Sequence, residues 1–239
     1  MHRFFTQDIT GDTAIITGED VKHIARVLRL GAGDRAELCD GAGNDYDGEI
    51  VSVGKERVVF RVTGSRPSDT EPNVDVTLFQ CLPKTGKTEV IVQKCTELGV
   101  HTIVPTVSER CVALPGENYG AKLVRYRRVA LEAAKQSRRA RIPSLTMPER
   151  IGSIDPARFD LFLIAYEDER GTTLKSALRS HANARSVALL IGPEGGLGAD
   201  EVKRLTDAGG IAVTLGRRIL RTETAGMAAL AEVLYELDS

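Results

Sequence analysis

Two glycine-bearing loops, each directly behind a short run of apolar residues, constrain this chain more than any other feature. Val187-Ala188-Leu189-Leu190-Ile191 runs into Gly192-Pro193-Glu194-Gly195-Gly196. A second run, Ala212–Leu215, leads into Gly216-Arg217-Arg218-Ile219-Leu220-Arg221-Thr222-Glu223-Thr224-Ala225. An apolar run without polar alternation reads as a strand covered on both faces, the kind found in parallel α/β sheets. Loops at the carboxyl ends of such strands are where open α/β sheets bind ligands. Glycine there lets backbone groups approach a ligand with no side chain in the way.

The chain divides into two stretches of different grammar. Residues 1–65 are β-rich: Ala36–Cys39, Tyr46–Val51 and Arg57–Val62 alternate in part, and turn-like segments at 40–45 and 53–56 separate them. One helix is expected from Glu19 to Leu30, and the whole suggests a small barrel. Residues 66–73, polar with two prolines, read as a linker. Beyond them, strands at Val74–Phe79, Thr102–Val107, Leu161–Tyr166, Val187–Ile191 and Ala212–Leu215 alternate with amphipathic helices, among them 119–140 and Thr222–Leu237. The expected fold is α/β: a mostly parallel sheet in a domain at 71–239, preceded by a small β-barrel at 1–70.

The formal net charge of −1 hides a local excess. Residues 122–141 carry eight lysines and arginines against one acid, Glu132. In a helix 119–140, Arg125, Arg128, Lys135 and Arg139 fall on one face, opposite Tyr126, Ala130 and Ala133. An ordinary solvated face mixes both signs, so this one points to a polyanion. No apolar stretch approaches the ~20 residues that span a bilayer. The N-terminus lacks the apolar core of a signal peptide, so a cytoplasmic protein without membrane partners is expected. Four scattered cysteines read as reduced core residues, and four histidines show no metal-ligand spacing, so no metal is expected.

Two motifs fail on inspection. Pro83–Thr88 ends in Gly-Lys-Thr, but a phosphate-binding loop needs glycine at position 81, where Cys81 stands. It reads instead as an exposed loop with Lys84 and Lys87 available to an anion. Gly41-Ala42-Gly43 lacks the third glycine of a dinucleotide fingerprint and reads as a turn, which disfavours a nicotinamide-dependent dehydrogenase.

Arg3-Phe4-Phe5, His23–Leu30 followed by Gly33-Asp34, Gln93–Val100, Glu132–Arg139 with Ile142-Pro143, and the two C-terminal loops together resemble the RsmE family of SPOUT methyltransferases. The resemblance covers nearly the whole chain. It implies a PUA-like RNA-binding domain, a trefoil-knot methyltransferase domain and a homodimer. It also implies S-adenosylmethionine as cofactor and methylation of N3 of a uridine in the decoding region of 16S ribosomal RNA, within the small subunit. Two departures add positive charge: Arg138-Arg139 stand where many members carry a glycine, and Lys135 replaces a frequent acid.

On that resemblance, Gly192, Pro193, Glu194, Gly195 and Gly196 are expected to form one wall of a cofactor pocket. Leu215, Gly216, Ile219 and Leu220 are expected to form another, with Ala165 as a third contact. Uridine N3 carries a proton at neutral pH, so Glu194, Glu223 and Arg221 are the candidate catalytic groups, as base or electrostatic partner. Arg3, Arg26, Arg29, Arg128, Arg138 and Arg139 are expected to hold the RNA backbone. Two other readings stay open: a SPOUT enzyme acting on a ribose, another base or tRNA, and a non-enzymatic RNA-binding assembly protein.

Overall fold

The structure, a computed structural model, describes residues 2–84 and 86–238. Thr85, in the lysine-bearing loop considered above, lies outside them. The chain forms two compact units: Met1–Glu71 with Ala134–Ile142, and Pro72–Ala133 with Pro143–Ser239.

The first unit is built on β1 (Arg3–Phe5), β2 (Ile9–Thr10), β3 (Thr13–Thr17), α1 (Glu19–Lys22), β4 (Arg35–Cys39), β5 (Asn44–Val53) and β6 (Arg57–Pro67). These strands form a six-stranded sheet in the order β1-β4-β5-β6-β3-β2. Only the β1–β4 pair is parallel. Period-2 patterning explains the core: Ala14 and Ile16, Ala36 and Leu38, Val58 and Phe60 all point inward and are buried. The helix expected over 19–30 is an α-helical turn continued by a π-helix, His23–Leu28, and closed by Arg29 at φ 55°.

A segment distant in sequence completes this unit. The Glu71 carboxylate accepts hydrogen bonds from Arg139 Nη2 at 2.6 Å, from the Ala140 N–H at 2.8 Å and from the Arg141 N–H at 3.0 Å. The Ile142 N–H donates to the Gly41 carbonyl at 3.1 Å. A cut near residue 70 leaves this segment out, because its pairing spans nearly seventy residues and has no local sign. The linker expected at 66–73 is likewise part strand, since β6 runs to Pro67.

The second unit alternates strands and helices: β7 (Asp75–Cys81), α2 (Thr88–Leu98), β8 (Thr102–Val107), α3 (Tyr119–Ser137), β9 (Ser144–Leu145), β10 (Glu149–Arg150), β11 (Leu161–Ala165), α4 (Leu174–Ser180), β12 (Ser186–Ile191), α5 (Ala199–Asp207), β13 (Ile211–Val213) and α6 (Thr222–Leu237). The last residues of α3, from Ala134, are counted with the first unit. The sheet runs β10-β8-β7-β12-β11-β13, with β9 beside β8, and every pair is parallel. β12 inserts between β7 and β11, aligning Leu189 with Leu78 on one side and Leu163 on the other. Val187 to Ile191 are all buried. Each large side chain among them contributes about 1.5–3 kcal/mol on burial, which a central strand collects on both faces.

Helix α3 ends at Ser137, earlier than the basic run suggests. Arg138 has φ 61°, and the Arg139 N–H returns to the Ala134 carbonyl at 3.0 Å, a left-handed helix stop. Glycine suits this position best, because a β-carbon at positive φ is strained.

Candidate functional site

A cavity of about 610 Å³ opens at the carboxyl ends of β7, β11, β12 and β13 in the second unit. Gly192, Pro193, Glu194 and Gly196 behind β12 form one side; Leu215, Gly216, Ile219 and Leu220 behind β13 form another; Ala165 ends β11 between them. Gly195 is outside this lining, and its carbonyl accepts from Arg110 Nη1 at 3.3 Å. A β-carbon at Gly195 would face Arg110. At Gly196, with φ +71°, a β-carbon would collide with the Glu167 carboxylate. Gly216 has φ +114°. The two loops therefore depend on glycine at 196 and 216 for a backbone that other residues rarely adopt.

The loops are fastened to the sheet. Thr222 Oγ1 donates to the Gly192 carbonyl at 2.6 Å, and Gln80 Nε2, buried on β7, donates to Thr222 Oγ1 at 2.9 Å. One polar chain thus joins β7, the start of α6 and the loop behind β12. Buried polar groups of this sort are costly unless partnered, so the chain fixes geometry as well as stability.

Charge gathers on one side of the cavity. Glu194 accepts from the Lys84 N–H at 3.1 Å and from Lys87 Nζ at 3.0 Å. Lys87 Nζ also lies 3.1 Å from Glu223 Oε2. Partial burial pushes the Glu194 carboxyl up, but Lys87 and the backbone N–H groups outweigh it, and the net effect is below the ordinary value. Burial likewise opposes, and its own N–H, Lys87 and Arg221 overcome, for a lowered Glu223. The two carboxylates hold Lys87 above its usual value. Arg221, exposed at the head of α6, also lines the cavity. The three groups expected to be catalytic are thereby brought together.

Sequence reasoning missed Tyr166, Glu167, Arg170, Thr214, Arg218 and Thr222, which also line the cavity. It noticed Lys84 and Lys87 without placing them here. Their loop follows β7 at the same edge of the sheet, so the rule that found the glycine loops would have found this one.

The six arginines expected on RNA separate into two groups. Arg26, Arg29 and Arg138 are exposed on the first unit, and Arg128 is exposed on α3. Arg3 and Arg139 correct the expectation. Arg3 pairs with Asp45 at 2.5 Å and Glu37 at 3.5 Å, with its side chain only 10% exposed. Arg139 lies past the end of α3, buried against Glu71. Helical periodicity projected beyond residue 137 put it on a face it does not occupy.

Comparison with known proteins agrees with this geometry. Residues 70–234 match a family model described as an RNA methyltransferase domain, and residues 16–63 match an RNA methyltransferase PUA domain. The ribosomal RNA small subunit methyltransferase E of Bacillus subtilis is 35% identical over 233 residues, covering 95% of this chain and 91% of its own. The chain belongs to the ribosomal RNA small subunit methyltransferase E family. Another member of that family, from Mycobacterium bovis, is 35% identical over 231 residues, covering 94% of this chain and 87% of its own. A crystal structure of the family member from Neisseria gonorrhoeae, bound to S-adenosyl methionine, superposes with a TM-score of 0.83 at 29% identity. That match covers 97% of this chain and 96% of the other. The family's α/β architecture with a PUA-like first domain is the one described above. Among the described residues, no group of side chains could hold a metal ion, and no helix is long and apolar enough to cross a membrane.

Proposed function

We propose that this chain transfers a methyl group from S-adenosylmethionine to N3 of a specific uridine in the decoding region of 16S ribosomal RNA. The reading includes a PUA-like domain at 1–70, a knotted methyltransferase domain at 71–239, a homodimer, and action on the small subunit in the cytoplasm. As an RNA methyltransferase of its family, the enzyme uses S-adenosylmethionine. The observation that carries the reading is the cavity between the two glycine loops, placed at the carboxyl edge of a parallel sheet.

The residues present fit that cofactor. The volume suits a nucleoside-sized group, and Leu215, Ile219, Leu220 and Pro193 offer apolar surface for a purine. A β-carbon at Gly196 would intrude on the Glu167 side of the cradle. When bound, the cofactor supplies a methyl group activated by a positive sulfonium, a chemistry that needs no metal.

The chain's own task is placement and proton handling. Holding donor and acceptor in line is worth up to ~7–11 kcal/mol. Uridine N3 must lose its proton before its lone pair can accept carbon. Glu194 and Glu223 are ionised at neutral pH and can take or steer that proton; Arg221 can stabilise the negative oxygen left on the base. N3 lies on the pairing edge, so the base must be unpaired or flipped out. Arg26, Arg29 and Arg138 on the first unit, and Arg128 on the second, suit contacts to phosphate.

The test incubates the protein and cofactor with small ribosomal subunits from cells lacking this gene, followed by nucleoside mass spectrometry. N3-methyluridine is the expected product. A different methylated nucleoside would replace the substrate assignment, and no methylation of any RNA would refute the enzyme.

A further inference from the structure

Lys87 is the one basic side chain among the described ion pairs that contacts both loops of the cavity: its Nζ lies 3.0 Å from Glu194 behind β12 and 3.1 Å from Glu223 on the first turn of α6. All three side chains are about three-quarters buried or more. Two carboxylates converge on a single cation, so removing that cation would leave two like charges facing each other in a partly dry wall. The other charged side chains lining the cavity are Glu167, Arg170, Lys84 (whose backbone N–H already serves Glu194), and Arg218 and Arg221 in the loop that leads into α6. Arg218 and Arg221 are exposed, and neither shows an ion pair with the carboxylates.

From this geometry we propose that Lys87 is a positioning residue that clamps the Glu194 and Glu223 loops together and so holds the cofactor cavity in its binding form. The proposal rests on the functional reading above and adds a residue that neither glycine loop contains. In it Lys87 acts through the two carboxylates and transfers nothing itself. Loss of the clamp lets mutual repulsion part the loops until one carboxylate takes up a proton.

The experiment measures calorimetric affinity of the full chain for S-adenosylmethionine and S-adenosylhomocysteine, with thermal melting alongside. Lys87→Met should weaken both ligands at least about tenfold at neutral pH, the scale of a lost partly buried ion pair, while melting as one transition. Lys87→Arg should restore most of the affinity. Adding Glu223→Gln to Lys87→Met removes the repulsion and should also restore it, although turnover stays low if Glu223 handles the proton. Affinity of Lys87→Met should rise as pH falls towards the carboxylate range, against a flat wild-type profile.

Unchanged affinity in Lys87→Met, or a double variant no better than Lys87→Met, overturns the clamp. A wild-type chain that binds neither ligand overturns the functional reading, and the clamp falls with it. If Lys87→Met does not melt cooperatively, Lys87→Gln carries the same comparison. If neither variant folds, Lys87→Arg decides: affinity within about threefold of wild type fits a clamp that needs only a cation at this place, and abolished binding in a cooperatively melting Lys87→Arg refutes it.

Discussion

The Thr222 hydroxyl donates to the Gly192 carbonyl across 2.6 Å, so one short hydrogen bond ties the start of α6 to the loop behind β12. Thr222→Val keeps the shape of the side chain but takes the hydroxyl donor from the Gly192 carbonyl and the acceptor from one N–H of Gln80, whose Nε2 keeps only its bond to the Cys81 carbonyl at 3.2 Å. Leaving buried polar groups unmade costs about 1–3 kcal/mol. The expected outcome is a melting temperature lowered by roughly 2–12 °C, with weaker S-adenosylmethionine binding by calorimetry. A variant with wild-type melting and affinity would show that this bond does not hold the cavity.

Gly196 and Gly195 make a paired comparison. Gly196→Ala must place a β-carbon at φ +71° and against Glu167. The backbone strain alone is about 1–2 kcal/mol, so affinity for the cofactor should fall about tenfold. Gly195→Ala points its methyl at Arg110, outside the cavity lining, and should bind near wild type. Equal losses in both would mean that the loop responds to bulk anywhere along it.

Arg138 sets stability against charge. Arg138→Gly relieves a left-handed residue at φ 61° and should stabilise the fold by about 1 kcal/mol, read by denaturant midpoint. If Arg138 meets phosphate, the same change should lower the salt slope of single-stranded RNA binding by about 0.7. A lower midpoint would contradict the strain, and an unchanged slope would remove Arg138 from the RNA face.

The four cysteines are all buried yet chemically unlike. Cys111 is pulled down to about 6, chiefly by a hydrogen bond from Cys81 and further by Ser108, against the opposing effect of burial. Burial pushes Cys95 up to about 12 and Cys39 to about 11. Cys111 should therefore be alkylated first by iodoacetamide, at a rate that climbs as pH rises through about 6 and then levels. Peptide mapping that finds Cys95 labelled as fast would overturn this.

Much of the second unit is legible in the chain because buried parallel strands leave an unmistakable record. The strand at Thr102–Val107 and the helix at Thr222–Leu237 fall where apolar runs and periodicity place them. Apart from Gly195, every residue expected around the cofactor lines the cavity, since a glycine loop behind a buried strand has few other places to go. What escaped depends on long-range pairing. β1 to β3 are too short and weakly alternating to stand out, and they are fixed by partners such as Phe60, which aligns with Ala14. Arg139 looked like a surface cation because its counter-charge, Glu71, lies in what resembled a linker. Arg3 misled in the same way: Asp45 is unremarkable until the sheet brings it across. Gln80 carried no signal at all, being one polar residue in an apolar strand.

The insertion of β12 between β7 and β11 has a consequence for biogenesis. As the ribosome extrudes the chain, β7 and β11 emerge before β12 and wait, β7 with one edge bare and β11 with both, because its other neighbour, β13, follows β12. Only when residues 186–191 arrive can the centre of the sheet zip shut, and the ligand-binding rim is completed by the loops translated after them. An interrupted synthesis that stops short of β12 therefore yields an open-edged, sticky intermediate rather than a partly active enzyme.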